Sequence, residues 1–389
     1  MPMNRVQFQP GLSMRKFLSL YGTEKLCEAA LMARRWPQGF ECPRCGVCEA
    51  RISFQRQGRR YWQCAGCQFQ CSGLSGTIFE ASKLLLTNWF LAMQLLTQSK
   101  TNVSALELKR RLGVCYRSAW LVKHKILEGM RLAEADRQLT GRVEIDDAYL
   151  GGERSGGKAA RGSENKAPFV AAVQTTEGQP HLACLLPRPF TNEAMEDFMA
   201  RHMVLPLTLV SNGLKCFKVA SSAGAVHDRE ITGGGKASVL NEKFKALNTL
   251  IGNVKTALTG THHAVKFAKY AYRYLAEVQL RFNRRYDLRV ILCGLLPALV
   301  RAPRCSERGI RVAELHRKSH RTSRMFEVQW AAACGLFTKQ RRLTNPFPCA
   351  DVCGSVEEVA EPGLLAVALC AALRRAAPVF VVGVCELRV

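Results

Sequence analysis

Apolar and polar residues alternate along Val143-Glu144-Ile145-Asp146, the period of two expected of a half-buried strand. Phe169–Thr175, His181–Leu186 and Leu207–Val210 carry further strand patterns. Between them, Thr191–His202 reads as a helix with Thr191 or Asn192 as its N-cap. Phe244–Leu258 reads as a long helix. Upstream the pattern turns helical. Phe17, Leu18, Leu26, Ala30 and Leu31 fall on one apolar face that ends at Trp36-Pro37, and Trp89, Phe90, Leu95 and Leu96 form a second stripe.

Taken in order, three strands, a helix, a strand and later helices give the sequence of elements of an RNase H-like α/β fold, a mixed sheet flanked by helices. Its metal ligands come from the first strand, the fourth strand and a late helix. Residues 104–127 predict a different unit. A helix starting at Ser104, a Leu112-Gly113-Val114 turn and a second helix from Tyr116 to Leu127 outline a helix-turn-helix, whose second helix would enter a major groove. That helix carries Arg117, Lys123 and Lys125 as candidate DNA contacts.

Composition narrows the partners. Fifty-six Lys and Arg against 31 Asp and Glu leave a formal charge of +25, which favours a polyanion, most simply nucleic acid. A membrane partner is not expected. The best apolar run, Leu364–Val384, is interrupted by Arg374, Arg375 and Pro378, and no signal peptide is apparent. Seventeen cysteines without such a signal point to metal binding in a reducing cytosol.

Cys42-Pro-Arg-Cys45 and Cys64-Ala-Gly-Cys67 are two knuckles that can set four thiolates around Zn²⁺. Ala50–Phe54 and Arg59–Gln63 predict short strands around a Gln-Gly turn, so the segment has the outline of a zinc ribbon. Cys48 and Cys71 lie near but complete no second pair as well. Four cysteines close the coordination sphere, so the zinc is structural. Arg51, Arg56, Arg59, Arg60, Tyr61 and Trp62 suit phosphate contacts and stacking.

At the end of the first strand stand two adjacent acids, Asp146 and Asp147, before Gly151-Gly152. An acid there suits a hard divalent cation that takes oxygen ligands. Successive strand residues point to opposite faces, which leaves one of the two for a given site and turns Asp147 away from that of Asp146. On the late helix, Asn248 and Lys255 are two turns apart and share a face. Downstream, Lys266, Lys269, Arg273, Arg281, Arg284 and Arg285 interleave with Phe267, Tyr270, Tyr272, Tyr274 and Phe282, and this helix is expected to present arginines, Arg284 and Arg285 among them, to DNA. The basic loop Gly151–Lys166 is a further candidate for holding a phosphate backbone.

From about residue 13 to residue 318 the chain resembles insertion-sequence transposases of the IS1595 family, in the group with an ISXO2-like transposase domain. The matching stretches include RWPQGFECPRC, YWQCAGC, GTIFE, WFLAMQLLTQSK, SALELKRRLGV, VEIDDAYLGGERSGGKAARGSENK, GGGKAS, LNTLIGNVKTALTGTHHA, KYAYRYLAE and RFNRRYDL. The resemblance implies a zinc-ribbon and helix-turn-helix front end and an RNase H-like catalytic domain. It implies a bacterial, cytoplasmic, nucleoid-associated protein that binds double-stranded DNA at element terminal inverted repeats and at a target, as a homo-oligomer. It implies cleavage and strand transfer with Mg²⁺ or Mn²⁺ at an Asp-Asp-Asn/Glu/His set followed by Lys. Asp146 matches the first position, Asn248 the third and Lys255 the lysine.

The second acid departs from that pattern. A Ser-Asp-Gly turn is expected after the fourth strand, and this chain has Ser211-Asn212-Gly213. A two-metal site clamps the attacking and leaving oxygens between cations held by carboxylates. With Asn212 and Asn248 both neutral, metal binding is expected to weaken, which makes a catalytically inactive DNA-binding protein the alternative to an active transposase. An RNase H-like nuclease unrelated to transposition fits the fold but not the long matches. A smaller departure is His262, where the family usually has an aromatic residue. The expected organisation is a helical lead-in (1–40), the zinc ribbon (41–75), the helix-turn-helix region (82–135), the RNase H-like domain (140–295) and an atypical extension (320–389). In the extension the resemblance stops, and Cys349 and Cys353 find no partner pair.

Overall fold

The computed structural model describes residues 9–151, 166–231, 241–262 and 267–312. They belong to the first of two compact units, Met1–Ala332. The basic loop beyond Gly151, the GGGKAS stretch, Lys266, the Leu364–Val384 run and the extension over 320–389 lie outside the described residues.

The apolar lead-in forms two helices, α1 (Met14–Tyr21) and α2 (Glu24–Arg35), because Thr23 breaks the run and caps the second by accepting from the Leu26 N–H at 3.3 Å. Phe17 and Leu31 are buried, whereas Leu18 and Leu26 are exposed, so the face is narrower than its pattern suggests. The ribbon follows as a three-stranded antiparallel sheet of β1 (Ala50–Arg56), β2 (Arg59–Cys64) and β3 (Gln70–Ser72). The short β3 has no counterpart in the sequence pattern, since three residues carry no legible period. Trp62 packs against Trp36 and Phe40, with ring centroids 4.9 and 6.4 Å away, and Arg35 donates to the carbonyls of Gly73 and Ser75. These contacts bind the ribbon to α2.

Then come α3 (Leu86–Gln98), α4 (Ala105–Leu112) and α5 (Tyr116–Ala133). Ser104 caps α4 by accepting from the Glu107 N–H, and Gly113, at φ +66°, ends it in the left-handed conformation that glycine adopts without strain. The helix-turn-helix outline therefore exists in the backbone. Its second helix, however, is buried along most of its length, from Val122 to Leu127 and again at Gly129 and Met130.

The second sheet has five strands in the order β6-β5-β4-β7-β8, built from β4 (Leu139–Leu150), β5 (Ala167–Thr176), β6 (Gln179–Leu186), β7 (Met203–Ser211) and β8 (Val226–Arg229). β4, β5 and β6 pair antiparallel, while β7 and β8 run parallel to β4. This is the mixed sheet expected of the RNase H-like order. α6 (Asn192–His202), capped by Thr191, crosses between β6 and β7. The short α7 (Val219–Ser222) leads to β8, an edge strand of four residues whose pattern carries no legible period.

Alternation along β4 and β5 sorts side chains into two cores. Val143, Ile145, Val170 and Ala172 pack with Met195, Phe198 and Leu209. Ala148, Leu150, Phe169, Ala171 and Val173 pack with α8 (Lys245–Thr259) and with residues of α3 and α5. α9 (Phe267–Asn283) lies between α5 and β6, and α10 (Arg289–Arg301) packs on α5 and α2. One hydrophobic core thus runs from Phe17 through Trp89 to Phe169 and Leu295, so the front-end helices and one face of the sheet share a single interior.

Candidate functional site

β4 brings its acids to the sheet centre through two ladders of unequal length. Its pairing with β5 continues to Leu150↔Ala167, but its parallel pairing with β7 stops at Ile145↔Ser211. Asp146 and Asp147 are the first residues past that stop, and both are half-buried. Across the open edge β7 turns at Ser211-Asn212-Gly213. Gly213 sits at φ +85°, where a Cβ would also meet the Arg229 side chain at 2.8 Å. Ser211 is fully buried and its Oγ lies 2.8 Å from His227 Nε2 on β8, which fixes the turn from the outside.

The turn aims Asn212 at the acids. Its Nδ2 donates to Asp146 Oδ1 and, at 3.1 Å, to Asp147 Oδ1. Its Oδ1 accepts from the Leu214 N–H at 3.1 Å, so the amide oxygen is engaged on the loop side. The expectation that Asp147 faces away is corrected by this contact. Alternation assigns a side chain to a face, but beyond the last ladder pair a short acid can turn round the strand edge.

α8 reaches the same strand. The Leu247 N–H donates to Glu144 Oε2 at 3.2 Å, and Arg142 Nη1 donates to Glu144 Oε1 at 2.7 Å. Burial pushes the Glu144 carboxyl up, and these two donors pull it back. Glu144 and Asp146, two residues apart, share a face of β4, so the first turn of α8 is tied to the face that carries Asp146. Asn248, the residue after Leu247, is half-buried there, and Lys255 is exposed two turns on. Nothing in a single sequence marks Glu144 as this tie, because a buried strand acid looks like the polar half of an alternating pattern.

The ribbon cysteines assemble as expected. The sulfurs of Cys42, Cys45, Cys64 and Cys67 all lie within 4.8 Å of one another, with Cys42–Cys67 at 3.6 Å and Cys45–Cys64 at 3.4 Å. Tetrahedral zinc with bonds of about 2.3 Å places its sulfurs about 3.8 Å apart, so the donor set fits that ion. Backbone N–H groups of Arg44 and Cys67 point at the Cys42 and Cys64 sulfurs. The Cys67 N–H leads in holding the Cys64 thiol down at about 7, which favours the thiolate a metal needs. Cys48 and Cys71 stand outside the cluster.

The expected DNA contacts divide. Lys123 is 1% exposed and donates to the Val103 carbonyl at 2.6 Å; Lys125 is 5% exposed and donates to the Ile78 carbonyl at 2.9 Å. Burial lowers both ammonium groups from their ordinary value. Neither faces solvent, so neither can reach a phosphate backbone, which corrects the expectation that they contact DNA: α5 is a core helix whose only exposed part is its first turn, with Tyr116 and Arg117. Arg117 keeps an exposed side chain and pairs with Glu307 at 2.7 Å. Arg284 pairs with Glu134, and Arg285 donates to the carbonyls of Pro180 and His181 while stacking on Phe282 and Tyr286. Arg273 pairs with Glu128, and Arg281 bonds the Ser99 and Thr101 carbonyls. The expectation that α9 presents arginines to DNA is therefore corrected. Arg273 and Arg281 lie on α9 between α5 and β6, Arg284 and Arg285 come just past its end, and all four meet partners within the fold. His262 stands against Tyr274, ring centroids 4.6 Å apart, where an aromatic was expected. By contrast Arg51, Arg56 and Arg60 of the ribbon, and Lys109, Arg110 and Arg111 of α4, are exposed.

Comparison with known proteins agrees with this architecture. Residues 22–70 match the transposase zinc-ribbon domain, and residues 138–283 match the ISXO2-like transposase domain. An uncharacterized protein in transposable element ISH50 of Halobacterium salinarum is 26% identical over 216 residues, covering 51% of this chain and 71% of that protein. Among the described residues, no helix is long and apolar enough to cross a membrane.

Proposed function

The chain belongs to the IS1595 family of transposases, with its ISXO2-like domain behind a transposase zinc ribbon, and from that premise we propose that it binds the terminal inverted repeats of an insertion sequence and carries a weakened DNA cleavage and strand-transfer site. Asp146, Asn212, Asn248 and Lys255 form that site. DNA held as two element ends and a target calls for more than one copy of the chain. The exposed arginines of the ribbon and the basic face of α4 are the surfaces suited to the phosphate backbone.

The observation that carries the reading is the hydrogen bond between Asn212 and Asp146. It joins the end of β4 to the turn after β7, on the strand to which α8 is tied through Glu144. A divalent cation, Mg²⁺ or Mn²⁺, would supply Lewis-acid polarisation of the phosphodiester there and lower the pKa of the attacking hydroxyl. Asp146 would hold the cation through its carboxylate, Asn248 would offer it an amide oxygen, and Lys255 would steady a phosphate. In the first step water attacks the phosphodiester at the element end and the element's 3′-hydroxyl leaves; in the second that hydroxyl attacks a target phosphodiester, and the target strand's 3′-hydroxyl leaves. Asn212 weakens the site because its oxygen is bonded to the Leu214 N–H and its nitrogen faces the acids.

The test is strand cleavage of terminal-repeat DNA in Mg²⁺ or Mn²⁺, comparing the chain with Asn212→Asp. A rise of about tenfold or more, the equivalent of about 1.4 kcal/mol in the barrier, is expected; equal, readily measured activity in the two would remove the claim of weakening. The orientation of the Asn212 amide favours a second reading, a DNA-binding protein without catalysis. Duplex binding with no cleavage by either protein would select it.

A further inference from the structure

Asn212 touches two carboxylates with one atom. Nδ2 reaches Asp146 Oδ1 and Asp147 Oδ1, so both side chains lean toward a single point beside the turn. Consecutive strand residues do this only at an edge. Here the edge opens because the β4–β7 ladder ends at Ile145↔Ser211 while β5 still holds β4 straight on its other side. The amide is oriented by the Leu214 N–H on its oxygen, which leaves its two N–H donors for the acids. A donor set between two carboxylates stands where a positive charge would be held. The group it stands in for is a hard cation, since both neighbours are carboxylates, on half-buried residues.

We propose that Asp147 supplies the second carboxylate to the divalent cation in this chain, in place of the acid that position 212 lacks. The proposal rests on the reading of Asp146 as a metal-holding residue. Two adjacent acids restore to the site the two negative charges that a lone Asp146 could not provide. Asn212 makes room by turning its amide away from the point of convergence, or by reversing it so that the oxygen faces inward and the Leu214 N–H is released. No backbone movement is required, because Asp147 Oδ1 already lies within hydrogen-bond reach of that point.

Mn²⁺ binding to the full chain, read from the electron paramagnetic resonance signal of the free ion at fixed salt, tests this without reference to cleavage. Asp147→Asn is expected to weaken Mn²⁺ binding at least about tenfold, the scale set by losing even an outer partner of a metal site. Asp147→Glu keeps the charge and is expected to stay within a few-fold of the parent. Asn212→Asp is expected to tighten binding, and the double variant Asn212→Asp/Asp147→Asn to match Asn212→Asp alone, because an acid at 212 makes the one at 147 dispensable. Thermal melts without metal check that each variant folds, and Asp147→Glu against Asp147→Asn remains informative should one melt early. If Asp147→Asn binds like the parent while Asp146→Asn loses the ion, the inference is overturned and the Asp146 site stands. A double variant weaker than Asn212→Asp by the full tenfold overturns the substitution as well. If Asp146→Asn also keeps full binding, the reading of the site falls first.

Discussion

The two sheets of this protein are held by opposite means. In the ribbon, β1 is exposed at five of its seven positions, and the strands around the cysteines bury little beyond Cys42, Cys64 and Cys71. The five-stranded sheet is buried on both faces, with β5 enclosed from Ala167 to Thr175 save at two positions. A sheet without a core needs a metal to close it, whereas a sheet between two cores does not. The cations divide along the same line. Arginines of the ribbon face solvent, but those of α9 and the lysines of α5 turn inward to carbonyls and carboxylates. The basic charge of a chain therefore says that a polyanion is a suitable partner, and says little about which residues meet it.

Zinc removal should give the largest contrast. A structural zinc supplies on the order of 10 kcal/mol of folding free energy. Chelation, or Cys45→Ser, should then abolish amide-exchange protection over residues 42–72 while Val143–Ala148 keep theirs. Loss of both, or of neither, would break the comparison. Next in size is the core of the large sheet. Phe169 is fully buried, and Phe169→Ala should cost about 3–5 kcal/mol in urea unfolding of the helical and five-stranded part. Phe54→Ala, which removes a half-buried ring stacked on Tyr61 at 5.8 Å, should cost only about 1 kcal/mol. Comparable losses would mean that the ribbon has a core after all.

The smallest effect separates outward from inward cations. Arg60→Ala should lower the slope of log binding constant against log salt by about 0.9 on duplex DNA, the share of one phosphate contact. Lys125→Met should leave that slope alone and alter only the melting temperature. A slope change with Lys125→Met would mean that α5 moves out to reach DNA.

Much of this was readable in the residues. The paired Cys-x-x-C knuckles fixed the four sulfurs, and the alternating and helical periods placed β4, β5, β6, α6 and α8 within a few residues. The Thr191 and Ser104 caps stood where their side chains could accept an N–H. Short elements are not legible: β3 and β8 are three and four residues long, no more than two periods of a strand's alternation. Nor is the facing of α5 and α9 legible, because a lysine or arginine on an amphipathic helix has the same spelling whether it faces water or a buried carbonyl.

What the sequence by itself determined was local: which residues can form a strand, cap a helix or bind zinc, each settled by neighbours a few positions away. Tertiary structure alone decided where β7 stops pairing with β4. That ending opens the strand edge, lets Asp146 and Asp147 lean toward one atom of Asn212, and undoes the rule that consecutive strand residues part. The physical reason is that a ladder's length depends on two strands separated by more than fifty residues, so neither strand records it alone.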